Sequence, residues 1–530
     1  MSAWLKRLRV LAFAWSALSC TTLVTLALGQ SPAAPEIRPM PSAPGASPEF
    51  SEFVDRETIQ RIVREELEAE RARQTKASAP VTDPEPAWIE VGKDRTLHSR
   101  WDNGFVSETA DKSFRIHVGG RLEFDNSWFA QDDNISIGLS PDQTMLDGTL
   151  MRRARFRTDG RLWDLMDFAC EVNFANIQDV SNVDSTVQVG SVGLTDFYVT
   201  FREVPWLGNV RMGHLQAPIS LERYSSSNAW YYMERSSMFD AFYNPNDYQN
   251  GIVAFNSYWD DRVTLAGSAA WVGKSDIQSF GFGANEGKYG VGGRVTALPV
   301  YADEGRTLVH VGAGIFHQAF VDDRFSIASR PLLRAGAGGS QTPNLIFTGT
   351  FFAPNCDIAN VEAALVMGPF SLSGEYAITH VDDVFETATP ALAGSRGAVT
   401  YQAAYVEGGL FVTPGDHRRY DKKTGTWTRT NPVENAFLVN EGGQSCFGHG
   451  AVQLLARYTF VDLVEGDPVL TPTSGGARAG KQHDVTLGVN WYLNSQASFM
   501  VNYVATRIDS VLPGADGDIH GIGCRLHLDF

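Results

Sequence analysis

The sequence predicts an all-β fold, a transmembrane antiparallel β-barrel of sixteen strands preceded by a short N-terminal periplasmic helix. Three observations predict it. From Phe114 onward, apolar and polar residues alternate, so each candidate strand has one oily and one wet face. Short turns alternate with long polar loops along the same stretch. No segment beyond residue 30 approaches the roughly 18 apolar residues of a helical span. A mean hydropathy of -0.17 is what results when lipid-facing and water-facing residues average out.

Residues 1–29 form a secretory signal, which places the chain in the export pathway. Lys6, Arg7 and Arg9 supply the positive start, and Val10 to Leu28 the apolar run. Ala27-Leu28-Gly29 fits a small-residue cleavage site, leaving Gln30 as the mature start. An uncleaved anchor is the alternative, and Cys20 suits a lipoprotein site poorly because too much apolar sequence follows it. Residues 30–49, rich in Pro, Ala and Ser, read as a flexible linker. Residues 50–75 read as a short charged helix with Ile59, Ile62, Val63 and Leu67 at helical spacing. So narrow a stripe is marginal alone in water, leaving an oligomerising coiled coil or a solvated or partner-bound helix. Residues 76–112 read as a second irregular linker, and 113–530 as the barrel.

Within the barrel, Phe114, Ile116, Val118, Leu122 and Phe124 share one face, opposite Arg115, His117, Arg121, Glu123 and Asp125. Met166 to Phe174, Val452 to Phe460 and Val485 to Trp491 repeat the pattern. The closing segment sets Cys524, Leu526, Leu528 and Phe530 against Arg525, His527 and Asp529, and resembles the assembly signal of outer-membrane barrels. Tight turns are expected at Asp159-Gly160, Asp260-Asp261, Gly368-Pro369 and Asn494-Ser495. Long loops are expected near 125–148, 176–191, 216–248, 320–357, 382–399, 462–481 and 509–517. Short turns on one rim and long loops on the other are the asymmetry of an outer-membrane barrel. One connection, roughly 413–448, is long yet falls on the short-turn, periplasmic rim.

A formal net charge of -17 and a pI near 5.1 argue against nucleic-acid binding. Cys170 and Cys524 fall on apolar strand faces, where a thiol is a small hydrophobe. Cys356 and Cys446 fall in connections and could pair in an oxidising compartment. There is no GxSxG elbow, no HExxH, no Walker loop and no metal-spaced Cys/His cluster, so neither enzyme, cofactor nor metal is expected. The informative chemistry is arginine on inward faces. Arg153, Arg155 and Arg157 share one side of a strand, with Arg152 on the other, and Arg115, Arg121 and Arg211 sit on comparable faces elsewhere. Guanidinium rows in a narrow wet pore attract anions and hand them from site to site. The alternative is that they brace the wall by pairing with carboxylates such as Glu123, Asp125 and Glu171.

Several stretches together resemble the phosphate-selective porin O and P family. They are Arg211 to Glu222 with Met233-Glu234-Arg235-Ser236, Gly368 to Tyr376, Gly408 to Tyr420, Leu454 to Tyr458 and Leu487 to Asn494, in family order over about 113–530. The resemblance implies a trimeric outer-membrane barrel of sixteen strands, narrowed by inward-folded segments and lined by basic residues. It also explains the anomalous connection as a periplasmic segment folded into the barrel. Here that segment carries Arg418, Arg419, Lys422 and Lys423, which with the arginine row become anion-path candidates. The implied partners are small anions such as phosphate, the lipid bilayer and the outer-membrane assembly machinery. Where the family carries a lysine this chain has Gln216, and lysines are scarce, so phosphate preference stays open while porin function does not. The rival readings are a general non-selective porin and a barrel that tethers the envelope through residues 50–74.

Overall fold

The computed structural model describes residues 61, 63–65, 67–68, 93 and 95–530, apart from 137–144, 176–192, 244–247, 273–287, 321–322, 337–341, 386–394, 442–443 and 465–478. The signal segment 1–29, the linker 30–49, most of 50–75 and all of 76–92 lie outside the described residues, as does the loop expected at 176–191. The chain divides into one unit at Leu11–Lys93 and another that contains Asp94–Phe530. In the first, Arg61, Val63, Arg64, Glu65, Leu67 and Glu68 are helical and exposed.

The second unit is a closed barrel with one appended hairpin. Strands β1 (Leu97–Trp101) and β2 (Phe105–Thr109) form the hairpin, within the stretch expected to be an irregular linker. Asn103-Gly104, with φ of 52° and 125°, supplies the positive-φ turn that such a hairpin needs. The wall strands are β3 (Arg115–Gln131), β4 (Gly148–Leu162), β5 (Met166–Asn173), β6 (Gly193–Val204), β7 (Gly208–Leu215) and β8 (Gln249–Tyr258). They continue as β9 (Val263–Val272), β10 (Lys288–Ala302), β11 (Thr307–Ala319), β12 (Asn355–Met367) and β13 (Phe370–Val381). The circuit ends with β14 (Val399–Phe411), β15 (Ala451–Asp462), β16 (Gly480–Tyr492), β17 (Ala497–Ser510) and β18 (Gly517–Asp529). Each pairs antiparallel with the next, and β18 pairs with β3 from Asp529↔Arg121 to Ile519↔Gln131, closing the sheet. That makes sixteen wall strands, the expected number.

The alternation explains the inside-out core. Leu122, Phe124, Leu487, Leu526 and Leu528 are exposed on the outer face, whereas Arg121, Glu123, Asp125, Asp484, Asn490 and Arg525 are buried inside. Closure removes the free sheet edges that would otherwise invite association, and the outer apolar face is matched to hydrocarbon rather than water.

The turns at Asp260-Asp261, Gly368-Pro369 and Asn494-Ser495 form between β8 and β9, β12 and β13, and β16 and β17. The turn expected at Asp159-Gly160 does not: both residues lie inside β4. Asp159 instead meets His117 and Arg157 at 3.0 Å each. Gly160 lies where an added Cβ would fall 2.9 Å from the Phe168 ring. The chain reverses three residues later, with Trp163 and Asp164 at φ of 53° and 54°.

Cys356 and Cys446 are both free thiols. Cys356 opens β12 at the long-loop rim, and Cys446 lies in the connection on the opposite rim, so pairing would have to cross the barrel. A membrane-impermeant maleimide added to the folded protein will label exposed Cys446 and leave buried Cys356 untouched. Mass spectrometry that found the label on Cys356 would contradict this placement.

Three connections fold inward. The segment after β7 departs at Gln216 and crosses to the far wall. There the Leu221 and Glu222 amides donate to Glu375 at 3.2 and 2.6 Å, and Met233 N donates to Asn502 at 2.8 Å. Asn490 donates to the Tyr231 carbonyl at 2.7 Å, and Ser237 and Thr459 share a hydroxyl bond of 2.6 Å. Ile219, Met238, Phe239 and Phe242 pack with Phe316, Phe320, Phe325 and Phe351 in the largest apolar cluster. The connection between β11 and β12 adds a second layer, clamped by Arg330 and Arg334 on Asp240 at 2.7 and 3.1 Å. From the other rim, the connection between β14 and β15 enters and meets the crossing segment where Trp427 N donates to Ser225 Oγ at 3.1 Å.

Candidate functional site

These segments leave one large cavity of about 890 Å³ against the wall of β3–β7. Among the described residues, eleven arginines line it against eight carboxylates, and no lysine does. Arg115, Arg121, Arg153, Arg155, Arg157 and Arg211 are brought together here from the wall, as their inward faces require. Arg152, Arg235, Arg330, Arg334 and Arg429 join them.

The position of Arg152 corrects the alternation argument, which puts it on the lipid side. Between Glu123↔Arg153 and Phe124↔Met151 the ladder skips a residue, a β-bulge that turns Arg152 inward. Its guanidinium then grips Glu234 of the crossing segment, with Nη2 donating to Oε2 at 2.8 Å. Period two cannot foresee a bulge. Nor can it place Arg235, Arg330, Arg334 or Arg429, whose directions are set by connections rather than strands. Arg235 stacks on Trp230 and Phe239 at 4.2 and 3.9 Å. Burial pushes the Asp240 carboxyl up, but Arg334 and Arg330 outweigh it and hold its pKa below the ordinary carboxylate value. Burial also brings Arg334 down to about 10.

The expected arginine row is braced. Arg153 Nη1 donates to Glu123 Oε2, Arg155 Nη1 donates to Glu171 Oε1 at 2.7 Å, and Arg157 Nη1 donates to Asp196 Oδ2 at 2.8 Å. Arg115 stands 3.7 Å from Asp159 at the periplasmic end. Two arginines differ. Arg121 is 6% exposed; its Nη1 donates to Ser227 Oγ of the crossing segment, and its Nε has no partner. In the ladder it lies between Arg155 on one side, a like-charge pairing that is unfavourable, and Asp529 on the other. Arg211 donates to Thr200 Oγ1 at 3.1 Å and sits over the rings of Tyr198 and Phe255 at 4.1 and 5.2 Å. Among the described residues neither forms an ion pair with a carboxylate.

The periplasmic cluster is dispersed. Arg418 is buried, donating to Glu407 at 2.8 Å between the rings of Tyr231 and Trp427, at 3.7 and 3.9 Å. Arg419 is half-buried, and Lys422 reaches Asp260 Oδ2 at 3.3 Å. Lys423 is exposed, and none of the four lines the large cavity. Arg418 thus fastens the inserted segment to the wall. Arg294 does the same, donating to the Gly425 carbonyl at 2.8 Å and to Glu362 at 2.6 Å. Tyr420 and His310 share a bond of 2.7 Å.

The site is therefore an arginine-rich cavity inside a closed barrel. The family model described as phosphate-selective porin O and P matches residues 121–530. Porin O of Pseudomonas aeruginosa is 24% identical over 447 residues, covering 81% of this chain and 90% of its own. An uncharacterized protein of Caulobacter vibrioides is 26% identical over 470 residues, covering 86% of this chain and 80% of its own. Among solved structures, an anion-selective porin from Comamonas acidovorans aligns with a TM-score of 0.44 and 13% identity, covering 78% of this chain and 100% of that one. On the strength of the family match and the closed barrel, the chain belongs to the phosphate-selective porin O and P family of outer-membrane porins.

Proposed function

We propose that this porin passes small hydrophilic anions, phosphate among them, by passive diffusion, as a homotrimer exported through a cleaved signal peptide. The observation that supports anion passage is the pair Arg121 and Arg211: cationic, lining the cavity, and without an ion-pair partner among the described residues. An entering anion sheds part of its hydration and pairs with such a guanidinium. It moves on because neighbouring arginines are already occupied by Glu171 and Asp196, which keeps binding weak enough for release. Arg153, Arg155 and Arg157 set the local field while their carboxylates hold them in place.

The test is the reversal potential of the purified protein in a planar bilayer under a KCl gradient, repeated with added phosphate. The expected result is an anion-selective potential and a chloride current that phosphate blocks. A cation-selective potential without block would mean that the eight lining carboxylates dominate, and the reading would fall.

A further inference from the structure

We propose that the hairpin β1–β2 is a register stop for closure of the barrel. The edge of β3 that receives β18 is longer than β18 uses. Pairing with β18 runs from Gln131 to Arg121 and finishes with Phe530, whose N–H donates to the Gly120 carbonyl at 3.0 Å while Gly120 N–H donates back at 2.6 Å. The next four residues on that same edge, Val118 to Arg115, pair with Phe105 to Glu108 of β2. Strand β2 therefore stands end to end with β18.

The joint is tight. At Gly104, φ is 125° and an added Cβ would fall 3.2 Å from the Phe530 carbonyl carbon; at Gly119 it would fall 2.3 Å from the Phe530 oxygen. The hairpin is itself fastened, because His117 bonds the Asn103 carbonyl at 2.9 Å and Arg100 donates to Glu108 at 2.6 Å.

A stop is needed because the side chains permit a slide. A one-residue slip would turn every lipid-facing residue inward, but a two-residue slip keeps both faces. Moved two residues toward the periplasm, Arg525 would face Glu123 instead of Asp125, exchanging one carboxylate for another already 3.2 Å away. Leu526 would take the place of Leu528 opposite Leu122, leucine for leucine. His527 would then face Arg121 and Asp529 would leave it, but Arg525 keeps a carboxylate and Leu122 keeps a leucine, so the main ion pair and the apolar face survive the slide. Gly104 and Phe105 do, by occupying the space that Phe530 would enter.

The experiment uses two cysteine pairs in the full chain with Cys524→Ser. L122C with L528C reports the native register, and L122C with L526C reports the two-residue slide. In the intact barrel only the first pair will form a disulfide on mild oxidation. In a chain lacking residues 97–109, the second will form as well. If that chain gives the native disulfide alone, the proposal is wrong. If it does not fold, as judged by the heat-dependent gel mobility of the barrel, Gly104→Val in the whole chain decides. There the second disulfide supports the stop, and its absence overturns it.

Discussion

Replacing Arg525 with alanine will cost the barrel about 3–5 kcal/mol, the range for stranding buried charges by removing their partner. Arg525 donates twice to Asp125 at 2.7 Å, and also stands 3.2 Å from Glu123 and 3.3 Å from Glu234. All four side chains are nearly inaccessible, so water cannot take over the missing charge. The residue joins three parts of the architecture: β18 to β3 at closure, and both to the crossing segment through Glu234. Arg525→Lys will recover only part of the loss, because an ammonium lacks the planar fork that grips Asp125. Urea unfolding in detergent micelles measures the effect. A loss below about 1 kcal/mol, the value of an exposed ion pair, would show the cluster to be hydrated. The variant's single-channel current will also be noisier, since Glu234 loses one of its ion-pair partners and keeps Arg152.

The double variant Arg121→Ala with Arg211→Ala will weaken phosphate block of the chloride current by about tenfold or more, because a hydrogen bond to a charged group contributes about 1.5–3 kcal/mol. Its unfolding midpoint will stay close to the parent's, since neither residue leaves a carboxylate unpaired. Neutralising Arg153, Arg155 and Arg157 will do the opposite. Glu171 and Asp196 would be stranded and Glu123 would lose one of its two arginines, so stability would fall and the current would shift toward cations. If the two sets of variants behaved alike, the distinction between free and braced arginines would fail.

Much of this architecture is legible in the alternation, because a wall that separates lipid from water constrains every second residue. That constraint yields the strand number, the two rims and the inward placement of Arg153, Arg155 and Arg157. It fails where backbone geometry departs from period two. The bulge at Arg152 and Arg153 puts two successive arginines into the cavity. Asp159-Gly160 has turn composition, yet Asp159 serves a hydrogen bond with His117 and Gly160 a close approach to Phe168. The reversal falls instead on Trp163, a residue that rarely adopts positive φ. Asn103-Gly104 is a hairpin signal, but the strands beside it are only five residues each and their apolar positions are sparse. The four connection arginines, Arg235, Arg330, Arg334 and Arg429, are set by tertiary packing, for which no local pattern exists.

The hairpin also governs how the barrel would respond to being pulled. Tension carried along the chain from residues before Leu97 enters at the open end of the hairpin, where Leu97 faces Thr109. A ribbon loaded there peels one rung at a time, the weak direction for antiparallel strands. Peeling the thirteen residues from Leu97 to Thr109 would release about 45 Å of slack, at roughly 3.5 Å per extended residue. The rungs between β3 and its wall neighbours would bear no force until that length was spent. Under such tension the hairpin would yield before the membrane-embedded wall.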